Sequence, residues 1–69
     1  MEYTVIIEKA EDGYYTYSPE LWGCTSFGKT TEQALENMKE AIVENIELLK
    51  ETGQPLPKPM ISYITKVAI

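Results

Sequence analysis

Residues with a high preference for β-structure are concentrated near the start of the chain, which predicts a β-strand over residues 3–8. The residues that share one face of this strand are Tyr3, Val5 and Ile7. Asp12-Gly13 follows, and this pair between two β-rich runs is a strong hairpin signal. Glycine is expected there because it supplies the positive φ that such turns need.

Two further strands are predicted on the far side of that turn, over residues 14–18 and 24–27. Pro19 cannot donate a hydrogen bond to a neighbouring strand, so we expect the pairing to break there. Residues 21–23 are then a connecting loop or bulge. We expect these first three strands to be antiparallel.

A capping-box spacing predicts that a helix begins after Thr30, whose side chain can accept from the Gln33 amide while Gln33 reaches back to the Thr30 amide. The helix should end near Thr52, because Gly53 is a good terminator. Apolar residues at helical spacing predict a face that packs on the sheet. Its central stripe is Leu35, Met38, Ile42, Ile46 and Leu49, flanked by Ala34, Ala41 and Asn45.

The pattern after the helix predicts a last strand over residues 60–69, which makes the order β-β-β-α-β in one α+β domain spanning residues 1–69. A right-handed crossover through the helix would lay the last strand parallel to a neighbour, and we expect that neighbour to be the first strand. The last strand is apolar on both faces. It either offers an edge to a partner strand or is covered by the helix and neighbouring aromatics.

Composition excludes several classes of function. The 69 residues carry 6 basic and 11 acidic side chains, a formal net charge of -5, and no histidine. Without histidine the chain lacks the usual general base and the usual zinc ligand, so an ordinary hydrolase is not expected. Cys24 is the single cysteine, which excludes an internal disulfide and favours a buried structural thiol. We expect no cofactor and no metal.

The charge balance also bears on partners and location. An acidic chain without arginine is poorly suited to binding phosphates, so no direct nucleic-acid binding is expected, and a basic protein partner is favoured. No signal peptide or run of about 20 apolar residues is present, so we expect no membrane association. One free thiol is typical of a cytoplasmic protein. A domain this small gains stability from self-association, and a homo-oligomer is expected.

Two surfaces are candidates for binding. Five glutamates lie within about 80° of one another on the outer helix face, either as a solvated polar face or as a docking surface. They are Glu36, Glu40, Glu44, Glu47 and Glu51. Val43 and Leu48 lie off the main stripe and are either half-buried or part of a subunit contact. Tyrosines and Trp22 on the sheet either pack across strands or stack single-stranded RNA bases, and cross-strand packing is favoured.

Residues 15–24 (YTYSPELWGC) and 28–37 (GKTTEQALEN) together resemble the HicB-like antitoxin family. The shared pattern is a hairpin strand, a Pro-x-Leu-x-Gly-Cys loop, a Gly-x-Thr helix entry and a glutamate-rich helix. The Gly-x-Pro-x-Pro exit at residues 53–57 and the closing strand extend the resemblance over essentially the whole chain.

The resemblance implies a partial ribonuclease H-like sheet with one helix packed on it and without the nuclease carboxylates. It implies a non-enzymatic protein that binds and neutralises a small basic HicA-like toxin, which cleaves RNA with a histidine. It also implies a short, single-domain member that lacks the DNA-binding module of many relatives and forms a dimer or tetramer. The residues expected to contact the partner are Trp22, Glu36, Glu40, Glu44 and Glu47. The alternative is a solitary homo-oligomeric sheet module that binds RNA through Tyr15, Tyr17 and Trp22.

Overall fold

Three antiparallel strands followed by one helix form an α+β fold in the computed structural model, which describes residues 2–58, 65 and 67–68. The elements are β1 (Ile6–Ala10), β2 (Gly13–Tyr17), β3 (Thr25–Gly28) and α1 (Thr31–Glu51). The strands are antiparallel, as predicted, and they lie in the order β1-β2-β3 in the sheet. Most of the predicted last strand falls outside the described residues, and positions 65, 67 and 68 are not in a strand. Its pairing with β1 stays a prediction.

β1 begins at Ile6 rather than at Tyr3, so the predicted start was wrong by three residues. Ile6 pairs with Tyr17, the last residue of β2. Pairing one residue further would bring Val5 opposite Ser18, beside Pro19, which has no N–H to donate. Tyr3 and Val5, which the sequence places on one face, nevertheless both pack against the core, whereas Ile7 of the same predicted face is 37% exposed.

The turn between β1 and β2 contains only two residues, because Ala10 pairs with Gly13. Gly13 does not have a positive φ, so the reason given for this glycine was wrong. A side-chain carbon at this position would lie 2.5 Å from Phe27 Cζ and 2.6 Å from the Gly28 carbonyl oxygen. Glycine is therefore needed at residue 13 because the Phe27 ring and the β3 backbone approach it closely.

Both ends of α1 are capped by local hydrogen bonds. Thr30 Oγ1 accepts from the Gln33 amide at 3.1 Å, as the capping-box spacing predicts, whereas Gln33 Oε1 accepts from the Lys29 amide at 2.7 Å rather than from Thr30. At the other end Gly53 has a φ of 70° and donates to Lys50, while the Gln54 amide donates to Leu49. This pair of bonds is a Schellman motif, which fixes the end of the helix where it was predicted.

The helix packs on the sheet through Ala34 and Met38, which are both fully buried. Leu35 is 39% exposed, so the buried face of the helix is centred closer to Ala34 than the sequence predicts. The reason lies in β3, where a side-chain carbon on Gly28 would collide with the Ala34 backbone. The strand and the helix backbone approach so closely there that position 28 has no room for a side chain, and Ala34 is fully buried at this contact.

The core combines two loop residues with residues from α1 and the start of the chain. Leu21 and Met38 are almost completely buried beside Cys24. The half-buried side chains that pack against these three are Tyr3, Val5, Ala41, Ile42 and Ile46. The loop between β2 and β3 is therefore anchored to the sheet and helix layers, and it occupies a fixed place beside them.

Candidate partner-binding surface

Two successive turns build the loop that carries Trp22. The Leu21 amide donates to the Ser18 carbonyl at 3.3 Å, and the Cys24 amide donates to the Leu21 carbonyl at 3.1 Å. Gly23 has a φ of 80°, which is typical of the third residue of a type II turn. Trp22 is consequently the second residue of that turn and lies at its tip.

Trp22 is 97% exposed although the residues on either side of its turn are buried. Leu21 is 1% exposed and Cys24 is 5% exposed, so the turn is fixed from below by the core. Leaving a large aromatic side chain in water forgoes about 1.5–3 kcal/mol of burial energy. Tryptophan on a rigid support is also the residue type most enriched at binding hot spots.

Glu20 supports the same loop from inside and was not identified by the sequence analysis. Its Oε1 atom accepts from the Thr4 amide at 2.8 Å and from Ser18 Oγ at 3.4 Å, and its Oε2 atom accepts from Thr4 Oγ1 at 3.1 Å. The side chain is only 8% exposed. A glutamate after a proline in a loop normally faces water, so no sequence signal distinguishes this one.

The glutamates predicted to contact a partner all lie exposed on α1. They are Glu36, Glu40, Glu44 and Glu47. The Glu36 carboxylate lies 3.9 Å from Lys39 Nζ, with both side chains more than 70% exposed, so this ion pair contributes little stability. These side chains are accessible, and their role in partner binding stays a prediction.

The structure brings only one of these glutamates next to the Trp22 loop. Glu44 and Leu48 form one wall of a groove of about 260 Å³ whose other wall includes Gly23 and Cys24. Glu47 instead borders a groove with Tyr3 and Leu56. Val43 and Leu48 are 55% and 57% exposed, so neither is covered by the described residues.

A second surface is formed by the side of the sheet that faces away from α1, here called the outer sheet face. Its described residues are Ile6, Glu8, Ala10, Gly13, Tyr15, Tyr17, Thr25 and Phe27, as the pairing register shows. Tyr15 and Phe27 are direct partners whose ring centroids lie 4.9 Å apart at 59°. The cross-strand packing favoured from the sequence is therefore confirmed for this pair. Tyr15 still remains 53% exposed.

Chemistry at Cys24 is not favoured by its surroundings. The thiol is buried, and burial raises its pKa above the ordinary value of 9.0. The nucleophilic thiolate is thus a minor form near neutral pH.

Within residues 2–58, no three cysteine or acidic side chains are grouped closely enough to hold a metal ion. The described part of the chain also contains no helix suited to crossing a bilayer.

Comparison with known proteins identifies the family. The family model for the HicB-like antitoxin of bacterial toxin-antitoxin systems matches residues 3–67. The chain belongs to the HicB-like antitoxin family. This confirms the resemblance carried by the loop and helix-entry motifs.

Relatives of this HicB-like chain include proteins of similar length and longer ones. A UPF0150 protein of Thermoplasma acidophilum is 50% identical over 66 residues, covering 94% of this chain and 96% of the relative. An uncharacterized 14.9 kDa protein of Haemophilus phage HP1 is 43% identical over 68 residues, and the match covers 96% of this chain but 51% of the phage protein.

A solved structure is also similar to the HicB-like chain. It comes from a HicA3 and HicB3 toxin-antitoxin complex and matches at 37% sequence identity with a TM-score of 0.71. The match covers 83% of this chain and 66% of the solved one, so the chain spans just under two thirds of that protein.

Proposed function

We propose that this chain is an antitoxin that binds a small basic HicA-like RNA-cleaving toxin and neutralises it by protein contact. The observation that carries the proposal is the similarity to a chain solved in a HicA3 and HicB3 toxin-antitoxin complex. The family match over residues 3–67 supports the same role. In this role the chain needs no catalytic group and no cofactor, since covering the RNA-binding surface of the toxin is sufficient.

The charge and surface of the chain support a basic partner. The net charge of -5 and the exposed glutamates of α1 favour encounter with a positively charged protein. Trp22 adds an exposed aromatic anchor on a fixed turn. The same proposal includes a homo-oligomer in the cytoplasm, where a HicA-like toxin would meet cellular RNA.

RNA binding by the sheet is the weaker alternative. Base-stacking surfaces require cations around them to neutralise phosphate, and the chain has no arginine. The outer sheet face carries Glu8, which would repel a phosphate backbone.

The proposed function is tested with a purified HicA-like toxin. We expect the purified chain to form a defined complex with that protein, seen by light scattering, and to stop its cleavage of RNA at equimolar concentration. Co-expression should restore growth to cells that produce the toxin. Continued RNA cleavage in the presence of excess folded chain would contradict the proposal.

A further inference from the structure

We propose that the outer sheet face and Trp22 together form the surface that receives a lysine or arginine side chain of the partner protein, with Glu8 as its counter-charge. This inference rests on the proposed function and deepens it. It assigns the contact to the sheet, whereas the sequence analysis placed it mainly on the glutamates of α1.

The register of the sheet places an acid directly beside the exposed ring of Tyr15. Glu8 is the direct partner of Tyr15, and Tyr15 is in turn the partner of Phe27. Side chains that are direct partners in an antiparallel sheet have Cβ atoms about 5 Å apart. One row across the sheet therefore presents a carboxylate, a half-exposed phenol ring and a phenyl ring in sequence.

No described element covers this face. The helix packs on the opposite side, where Ser26 donates to the Ala34 carbonyl oxygen and Gly28 approaches the Ala34 backbone. Tyr15 and Tyr17 are 53% and 38% exposed as a result. Aromatic patches left open on a small protein mark interaction sites more often than ordinary surface.

The outer sheet face continues onto the Trp22 loop. Tyr17 and Thr25, which pair with each other at the end of the sheet, line one groove together with Trp22. This groove has a volume of about 460 Å³ and includes Pro19 in its wall. Exposed aromatic residues thus follow one another from Tyr15 through Tyr17 to Trp22, and Ser18 and Thr25 also line the groove.

The charge on the outer sheet face determines which kind of side chain it can bind. Glu8 is the only charged side chain among the described residues of the outer sheet face. Aromatic faces attract lysine and arginine, by about 0.5–1 kcal/mol at exposed sites and about 2 kcal/mol or more once water is excluded. A neighbouring carboxylate adds to that attraction and opposes a nucleic-acid backbone. A basic protein side chain fits both features at once.

The α1 glutamates would then contribute to partner binding differently from the outer sheet face and Trp22. The α1 glutamates are exposed to solvent, so they speed encounter with a basic protein while adding little affinity. The outer sheet face and Trp22 offer apolar area that can be desolvated, which is where most binding energy arises.

The test uses the fluorescence of Trp22, the only tryptophan in the sequence, and a catalytically inactive form of the same HicA-like toxin as the probe. We expect the probe to shift the Trp22 emission to shorter wavelength. Affinity measured by calorimetry should fall roughly 10- to 30-fold for Trp22→Ala. It should fall several-fold for Tyr17→Ala and for Glu8→Gln. Trp22→Phe should lose less than Trp22→Ala because it keeps an aromatic ring.

Glu32→Gln on the exposed side of α1 is the matched control for Glu8→Gln and should bind as the unaltered chain does. Circular dichroism checks that each variant is folded, which is expected because the altered side chains are exposed. Unchanged affinity in the Trp22→Ala and Glu8→Gln variants, with the unaltered chain still binding, would overturn this inference alone. Failure of the unaltered chain to bind would overturn the proposed function as well.

Two further outcomes would also overturn the inference. A shift of Trp22 emission on adding single-stranded RNA would assign the surface to nucleic acid. A shift that depends only on the concentration of the chain would assign it to a second copy.

Discussion

The hydroxyl of Ser26 donates a hydrogen bond to the carbonyl oxygen of Ala34 at 2.9 Å, which joins β3 to the first turn of α1. Thr16 Oγ1 lies 2.5 Å from Ser26 Oγ. Because the single Ser26 proton is committed to Ala34, Thr16 is the donor in this second bond. Two linked hydroxyl groups thus connect β2, β3 and α1.

Removing the middle hydroxyl group, that of Ser26, should lower the stability of the protein more than removing the end one, that of Thr16. Ser26→Ala leaves the Thr16 hydroxyl, which is 1% exposed, without its acceptor, and we expect a loss of about 1–3 kcal/mol in the free energy of unfolding. Thr16→Val removes the buried hydroxyl and keeps the bond from Ser26 to Ala34. Its loss should be smaller, about 1 kcal/mol.

Urea unfolding followed by circular dichroism measures both values. The double variant should be less destabilised than the sum of the single ones, since the unsatisfied Thr16 hydroxyl is absent from it. Equal losses of stability for the two single variants would contradict the assignment of Thr16 as donor to Ser26 and of Ser26 as donor to Ala34.

The buried carboxylate of Glu20 should be required for the stability of the Trp22 loop. It accepts from both the amide and the hydroxyl of Thr4, and the single oxygen of a glutamine cannot replace both acceptors. We expect Glu20→Gln to lower the free energy of unfolding by about 1–3 kcal/mol. Glu11→Gln, in the exposed turn between β1 and β2, is the matched control and should change stability by less than about 0.5 kcal/mol.

Cys24 should make the stability of the folded protein decrease as the pH becomes alkaline. Its pKa in the folded protein is raised above 9.0 by burial, so the folded state holds the thiol proton more tightly than the unfolded chain does. The contribution is complete below pH 9.0 and declines as the pH rises through the folded pKa. Cys24→Ala should remove this part of the decline, measured as the difference between the two unfolding curves across alkaline pH.

Thiol reagents test the same group from outside. At pH 8 a reagent should modify Cys24 slowly in the folded protein and rapidly in urea, because burial limits both access and thiolate formation. Equal rates in the two states would contradict the buried position of this thiol.

Reversing charge on α1 should slow partner binding and make it less sensitive to salt. Glu40→Lys/Glu44→Lys changes two exposed acids, so the unaltered chain should associate faster with the basic HicA-like protein at low salt. We expect the difference in association rate to be about tenfold at low salt and to shrink as ionic strength rises. Stopped-flow kinetics at several salt concentrations measures it, and identical rates at low salt would exclude electrostatic steering by this face.

Local signals explain why the helix ends were predictable from the sequence. Thr30 and Gln33 cap the start through bonds to backbone amides within four residues, and Gly53 ends the helix through its own positive φ. Such features depend only on nearby residues. The antiparallel order of the strands was predictable for the same reason, since short turns connect them.

Features that depend on approach between distant elements were not predictable. Which of Ala34 and Leu35 is buried depends on how closely Gly28 meets the helix. The inward position of Glu20 depends on Thr4, which lies 16 residues earlier. Likewise, apolarity alone does not reveal that Leu21 is buried while Trp22 is exposed, because the type of turn at Gly23 decides it.

The bond from Tyr3 Oη to the Pro57 carbonyl oxygen, 2.6 Å long, connects positions 54 residues apart. Closing so long a loop costs more chain entropy than closing the short hairpins of the sheet. The hairpins and α1 should therefore form early in folding, and the hydrogen bond between Tyr3 and Pro57 should form late, after the transition state. Weakening it with Tyr3→Phe should consequently speed unfolding while leaving the folding rate almost unchanged.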